Sequence, residues 1–278
     1  MMENVYKPDL MEVIEVKQHT VDVKSVKIKF RDPERAARFS YEVGQFGMFS
    51  LFGMGESTFN ICSSSNWKDH IEFCFRKTGR VTEAFWQIDE GDTIGFRGPY
   101  GNSYPMEEWE GKNLIFIGGG IAMPPIRCAV WYALESREKY GNITVVYGAR
   151  TTKDLVFEDE LDQWAEYKDV RVIRCVDPGG ETPEWTYEVG LVPNVLRDAQ
   201  IPADNTVALV IGPPIMIKFT LPVLDQMGIA PASIYSSLEN RMKCGVGKCG
   251  RCNCGPVYVC KEGPIFSFEQ LSKLPSDF

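Results

Sequence analysis

Residues 113–125 read NLIFIGGGIAMPP. A short apolar run stops at three consecutive glycines, Gly118, Gly119 and Gly120, and a helical pattern follows over 125–139. An apolar stretch of that length, bounded by glycine, fits a strand buried on both faces. The same succession continues downstream. Strand patterns fall at 143–147, 170–175 and 207–211, and helical ones around 157–164, near 192–199 and over 214–227. Strands alternating with helices imply parallel strands joined by crossovers, hence an open α/β sheet of Rossmann-like type.

Upstream the period changes. Residues 10–30 alternate apolar and polar, and similar short runs recur at 47–52, 70–76 and 93–97, separated by Gly, Asp and Asn turns. That spacing predicts a small antiparallel β-barrel. One helix interrupts it: Val81, Ala84, Phe85 and Ile88 repeat at helical spacing, with Thr82 able to accept backbone N–H bonds at the helix start. After residue 236 the chain is rich in glycine and cysteine, with little periodicity. The expected organisation is a barrel over 1–110, an α/β domain over 111–235 and a small cysteine-rich lobe over 236–278.

The composition, 44% hydrophobic and 24% charged over 278 residues, is that of a chain able to bury a core. A formal net charge of −8 argues against nucleic acid as a partner. The first residues are too polar for a signal peptide, and the apolar runs are too short, and too broken by glycine and proline, to span a bilayer. A cytoplasmic location follows as an expectation, and with it reduced thiols rather than disulfides.

That bears on the tail, where five of nine cysteines fall between Cys244 and Cys260. Cys244, Cys249 and Cys252 are spaced C-x4-C-x2-C, and Cys260 follows. The first three match the plant-type [2Fe–2S] spacing, in which the fourth cysteine usually lies much further along. Gly245, Gly247 and Gly250 would let the backbone wrap an inorganic core and point N–H groups at its sulfurs. Zinc is the plainer metal, but there is one C-x2-C pair and neither His19 nor His70 is near in sequence. Iron–sulfur is the favoured reading, with Cys254 the spare thiol because it follows Cys252 too closely.

Two further places invite phosphate. Gly118, Gly119, Gly120, Ile121, Ala122 and Pro124 lie between strand and helix, where backbone N–H groups and the helix dipole receive a pyrophosphate. A tight turn without ligand is the alternative, and the spaced G-x-G-x-x-G pattern is absent. Gly148, Ala149 and Arg150 close the next strand, and Gly212, Pro213 and Pro214 close a later one. Ligands of open α/β sheets sit at such carboxyl ends. In the barrel, Ser57, Thr58, Phe59 and Asn60 form one polar segment. Cys74, Phe75 and Arg76, then Gly79, Val81 and Thr82, form another, with a basic residue, a glycine and a hydroxyl at a helix start.

In this order the pieces resemble the ferredoxin–NADP reductase superfamily over almost the whole chain. More narrowly they resemble the gamma, or diaphorase, subunits of cytosolic nickel–iron hydrogenases; residues 237–250, SLENRMKCGVGKCG, carry that likeness nearly position by position. One of the subunits of anaerobic sulfite reductase and the electron-transfer subunit of dihydroorotate dehydrogenase are similar too. The resemblance implies FAD on the barrel, NAD(H) or NADP(H) on the α/β domain, and a [2Fe–2S] cluster on Cys244, Cys249, Cys252 and Cys260. It places Phe59 by the flavin and Asn60 in contact with the isoalloxazine or ribityl chain. Ser57 stands where the superfamily usually has the arginine that holds flavin phosphate, so that Arg76 and the helix start at 79–82 would neutralise it instead. Gly118 to Pro124, Gly148 to Arg150, and Gly212, Pro213, Pro214 and Met216 match the nicotinamide-nucleotide segments.

The implied chemistry is hydride exchange with nicotinamide and release of electrons singly through the cluster, with no side-chain acid, base or nucleophile required. Glu239 is either a residue near the flavin edge or an ordinary surface carboxylate. The partner expected is a larger complex with further iron–sulfur and catalytic subunits, hydrogenase first. The alternatives are a sulfite-reductase-like or heterodisulfide-reductase-like (bifurcating) complex, a free-standing NAD(P)H–ferredoxin-type reductase, and a non-catalytic regulator on the same scaffold. NAD and NADP stay open: Arg150 suits a 2′-phosphate or an adenine ring equally.

Overall fold

The structure, a computed structural model, describes residues 4–275. By internal contacts the chain divides into two compact units, one formed by the residues up to Tyr104 with Leu238–Ile265, the other by Pro105–Ser237 with Phe266–Lys273.

In the first unit six antiparallel strands are formed: β1 (Asp9–Gln18), β2 (Val23–Phe30), β3 (Phe46–Leu51), β4 (Gly55–Asn60), β5 (Ile71–Arg76) and β6 (Thr93–Tyr100). Their order is β4-β3-β6-β1-β2-β5, and an antiparallel bridge between Ile61 and Phe73 brings the two ends together into a barrel. Alternation drives it, since inward positions of every strand feed one core. Phe49, Phe73, Phe75, Phe85 and Phe96 are all at most 1% exposed there. Phe49 and Phe73 lie 4.2 Å apart between ring centroids, the kind of contact worth about 0.5–1.5 kcal/mol beyond area burial. Helix α1 (Pro33–Arg38) is capped by Asp32, and α2 (Arg80–Phe85) buries Phe85.

The second unit holds β7 (Asn113–Gly119), α3 (Met123–Glu135), β8 (Ile143–Ala149), α4 (Glu158–Ala165), β9 (Val170–Val176), β10 (Glu188–Val189), α5 (Val192–Asp198), β11 (Thr206–Ile211), α6 (Pro214–Gln226) and β12 (Ile234–Ser237). The sheet order is β10-β9-β8-β7-β11-β12, with a last short strand at Ile265–Ser267 beyond β12, and the pairings from β10 to β12 are parallel. β7, β8 and β11 are buried almost throughout, which is why they read as unbroken apolar runs. From β7 the chain builds outward through β8 and β9, then returns to place β11 on the other side of β7. The carboxyl ends of β7 and β11 therefore flank the switch point at which such sheets bind ligands.

The tail belongs to the first unit. Strands β13 (Asn253–Cys254) and β14 (Val257–Tyr258) pair as a hairpin, followed by α7 (Val259–Glu262). Cys244, Cys252, Cys254, Val259 and Cys260 pack with Phe46 and Met48 of β3 in one buried cluster. After the short strand at Ile265–Ser267, which is β15, comes α8 (Phe268–Leu271), capped by Ser267.

Candidate functional site

The cysteine loop turns on Gly245, Gly247 and Gly250, with φ of +77°, +68° and +73°, a region that favours glycine. Gly245 also has no room for a side chain: an added Cβ would stand 2.5 Å from the Tyr100 ring. These turns aim amides at sulfur. Lys248 N and Cys249 N donate to Cys244 Sγ at 3.3 and 3.4 Å, Gly247 N donates to Cys260 Sγ at 3.1 Å, and Cys260 N to Cys252 Sγ at 3.5 Å. Burial alone would raise the Cys244 thiol, but the amides of Cys249, Val246 and Lys248 outweigh it and bring it down to about 6. Cys260 is pushed up by burial and by Cys252 beside it. Cys244, Cys252 and Cys260 are buried, Cys249 is exposed, and none of the four is in a disulfide. Buried sulfurs with N–H donors on a glycine-hinged loop fit a thiolate-bound cluster. Among the described residues no three His, Cys, Asp or Glu gather as around one metal ion; a cluster taking two thiolates per iron does not need them to. Glu239 is exposed.

On the barrel, β4 pairs along β3 so that Thr58 lies opposite Met48 and Asn60 opposite Phe46. Thr58 Oγ1 donates to Met48 Sδ at 3.0 Å and to Met242 O at 3.4 Å, which ties β4 to the segment before Cys244. Asn60 Nδ2 donates to Gly44 O at 3.3 Å, while its Oδ1 is buried with no partner. A buried acceptor left so is costly, and a bound group with an N–H or O–H donor would satisfy it. The Phe59 ring stacks on Phe73 at 5.4 Å and remains half-buried. Ser57 is half-buried, and Cys74 and Phe75 are buried in β5. Arg76 Nε lies 3.2 Å from Asp22 Oδ2, an ion pair without hydrogen-bond geometry. Thr82 Oγ1 accepts from Thr78 N and Gly79 N at 2.9 and 3.0 Å, folding the turn onto α2, whose start carries no side-chain cap. Val81 packs at the edge of the phenylalanine core.

In the α/β unit the three glycine-bearing strand ends come together. Ile211 pairs with Gly118, and Gly119 with Gly148. The Met216 side chain packs over the β7 and β11 ends: a Cβ at Gly119 would be 2.6 Å from its Sδ, and one at Gly212 2.4 Å from its Cε. Gly120 has φ +57° and open space where a Cβ would be. Its carbonyl accepts from Tyr147 Oη at 2.9 Å, which holds the turn. Ile121 is half-buried, Ala122 and Pro124 are buried at the start of α3, Ala149 is buried and Arg150 exposed, and Pro213 and Pro214 are exposed. Asp177, following β9, has its carboxyl raised by burial and partly lowered by Arg150.

One group carries no signal in the sequence. Arg97 of β6, 6% exposed, donates from Nε and Nη2 to Glu56 at 3.0 and 2.6 Å and from Nη1 to Cys244 O at 3.1 Å. Cys244 is 147 residues away along the chain, so no local pattern announces the contact.

A flavin barrel joined to a parallel nucleotide sheet defines a class, the two-domain NAD(P)H-dependent flavin reductases. The comparisons agree. Residues 11–104 match the oxidoreductase FAD-binding domain, 116–221 the oxidoreductase NAD-binding domain, and 239–272 the iron–sulfur cluster binding domain of dihydroorotate dehydrogenase B. The gamma subunit of sulfhydrogenase 1 from Pyrococcus furiosus is 37% identical over 98% of this chain and 95% of its own length. A probable dihydroorotate dehydrogenase B electron-transfer subunit from the same organism is 32% identical over 84% of this chain and 83% of its own. Among solved structures, a chain of the NADH-dependent reduced ferredoxin–NADP oxidoreductase superposes with TM-score 0.75 over 100% of this chain and 92% of the other, at 22% identity. The chain belongs to the ferredoxin–NADP reductase superfamily, in the group of sulfhydrogenase gamma and dihydroorotate dehydrogenase electron-transfer subunits. It is an oxidoreductase subunit that combines flavin-binding, nicotinamide-nucleotide-binding and iron–sulfur domains.

Proposed function

We propose that this chain exchanges hydride equivalents with NAD(H) or NADP(H) at FAD and passes single electrons through a [2Fe–2S] cluster to or from a cytosolic nickel–iron hydrogenase. Residues 1–110 would hold the flavin, 111–235 the nucleotide and 236–278 the cluster. One observation carries the reading: the buried Cys244 sulfur, which accepts the amides of Lys248 and Cys249, shares a loop with Cys249 at the surface. Buried ligands shield a cluster, and an exposed one gives electrons a way out to another protein.

The side chains have positioning tasks. Asn60 Oδ1 offers its unused acceptor to the flavin ring system. Ser57, Thr58 and Phe59 line the same strand. Arg76, preceded by Cys74 and Phe75 and already beside Asp22, would hold the flavin pyrophosphate together with Gly79, Val81 and the turn held by Thr82. In the nucleotide unit, Gly119 and Gly212 admit Met216, while the open side of Gly120 leaves backbone free to approach a pyrophosphate. Bound FAD supplies the exchange between paired and single electrons, so no side-chain acid or base is needed.

The hydrogenase partner rests on the two sulfhydrogenase gamma subunits, 37% and 38% identical over nearly the whole chain. The dihydroorotate dehydrogenase relatives support a second partner, one that would deliver electrons to this chain rather than take them. Anaerobic purification of the native assembly decides. The expected result is flavin, iron and labile sulfide at about two each of the last two per chain, with a nickel-containing subunit alongside. A dihydroorotate-oxidising partner would install the second reading. A colourless chain with no paramagnetic signal after dithionite would end both.

A further inference from the structure

We propose that Arg97 is a positioning residue that locks the Cys244 ligand to the flavin-binding strand and sets the reduction potential of the cluster, with Glu56 as its counterweight. The inference rests on the reading that Cys244 binds an iron–sulfur cluster.

Arg97 has a 5% exposed side chain and a fork turned two ways. Nε and Nη2 grip both carboxylate oxygens of Glu56 on β4, next to Ser57. Nη1 reaches Cys244 O at 3.1 Å, Tyr100 Oη at 3.2 Å and Val5 O at 3.2 Å. A buried pair kept only for packing needs its carboxylate. This one also donates to the carbonyl of the residue whose sulfur receives two amides. The seating is tight on the same strand, because Gly245 lies against the Tyr100 ring. Arg97 thus joins the strand proposed for flavin to the first cluster ligand.

Arginine keeps its charge at every accessible pH. Reducing the cluster adds a negative charge to it, so a cation held within a residue of a ligand sulfur favours the reduced state, and an anion disfavours it. Arg97 stands nearer Cys244 than Glu56 does through its direct bond, but each is expected to act with its own sign.

The test is a potentiometric titration of the as-purified, cluster-loaded protein followed by electron paramagnetic resonance, with iron and labile sulfide measured on the same samples. Glu56→Gln leaves the guanidinium uncompensated and should move the potential upward at wild-type iron content. Arg97→Gln leaves Glu56 charged and should move it downward, with faster loss of iron to a chelator. Arg97→Lys keeps the charge without the fork and should restore most of the potential but not the iron retention. If Arg97→Gln does not fold, Glu56→Gln decides alone: no upward shift overturns the inference. Shifts of the same sign in both variants overturn it as well. A wild-type protein that holds no cluster at all defeats the proposed function instead, whereas a normal cluster with unmoved potentials defeats only this assignment.

Discussion

Cys249 and Cys254 are both within the cysteine loop, yet they stand in different surroundings. Cys249 is exposed, with its own amide turned to Cys244 Sγ, whereas Cys254 is 2% exposed among the apolar residues behind β3. Cys249→Ala should therefore abolish the iron signal, and Cys254→Ala should keep iron and sulfide, at a cost of about 1 kcal/mol typical of a small core change. Iron analysis with chemical denaturation reads both, and the opposite pattern refutes the ligand set. Gly148 offers a second test. A Cβ there would stand 2.3 Å from Val192 Cγ2 and 2.8 Å from Cys175 Sγ, and a β-branched neighbour turns aside poorly. Gly148→Ala should cost about 1–3 kcal/mol, part of it recovered when Val192→Ala is added. At this scale the sequence is readable where chemistry is local. The cysteine spacing and the glycine turns lie within a few residues of one another. The Arg97–Cys244 contact spans 147 residues, and nothing within strand β6 (TIGFRGPY) sets its single arginine apart.

Elements repeat that division between local and distant causes. Helix α2 rests on Thr82, whose hydroxyl gathers the amides of Thr78 and Gly79 and donates to Gly79 O at 2.9 Å. Thr82→Ala should destabilise the barrel unit by about 0.5–2 kcal/mol, and Thr82→Ser should recover most of it, as measured in urea. The apolar strands of the sheet stand out from composition because both their faces are covered. Several elements leave no such trace. β4 (GESTFN) is half-buried and polar, so no apolar period marks it. Helix α1 buries no residue and has no apolar stripe, although Asp32 caps it. β12 and β15 are four and three residues long, too short for a period to register. α2 ends at Phe85, so Ile88, expected on the same helix, packs into the core from the turn beyond it.

For the whole molecule, the barrel and the cysteine loop share one set of internal contacts, and the nucleotide sheet has another. Removing the cluster should accordingly loosen only the first. Hydrogen exchange after anaerobic chelation should speed up at β3 and β6 amides and leave β7, β8 and β11 protected; equal acceleration in both sets would contradict the division. No helix among the described residues is long and apolar enough to cross a membrane. The connectivity has a further consequence for biogenesis. Residues 105–237 supply β7 to β12 in one run and Phe266–Lys273 complete that unit, whereas the six barrel strands are finished by Tyr100 and are joined later by the cysteine segment, Leu238–Ile265. Most of both sheets can pair during translation, whereas the edge strand β15 and the cysteine segment come last, so a chain arrested before Cys244 would emerge with both folds largely drawn and none of the loop's thiols.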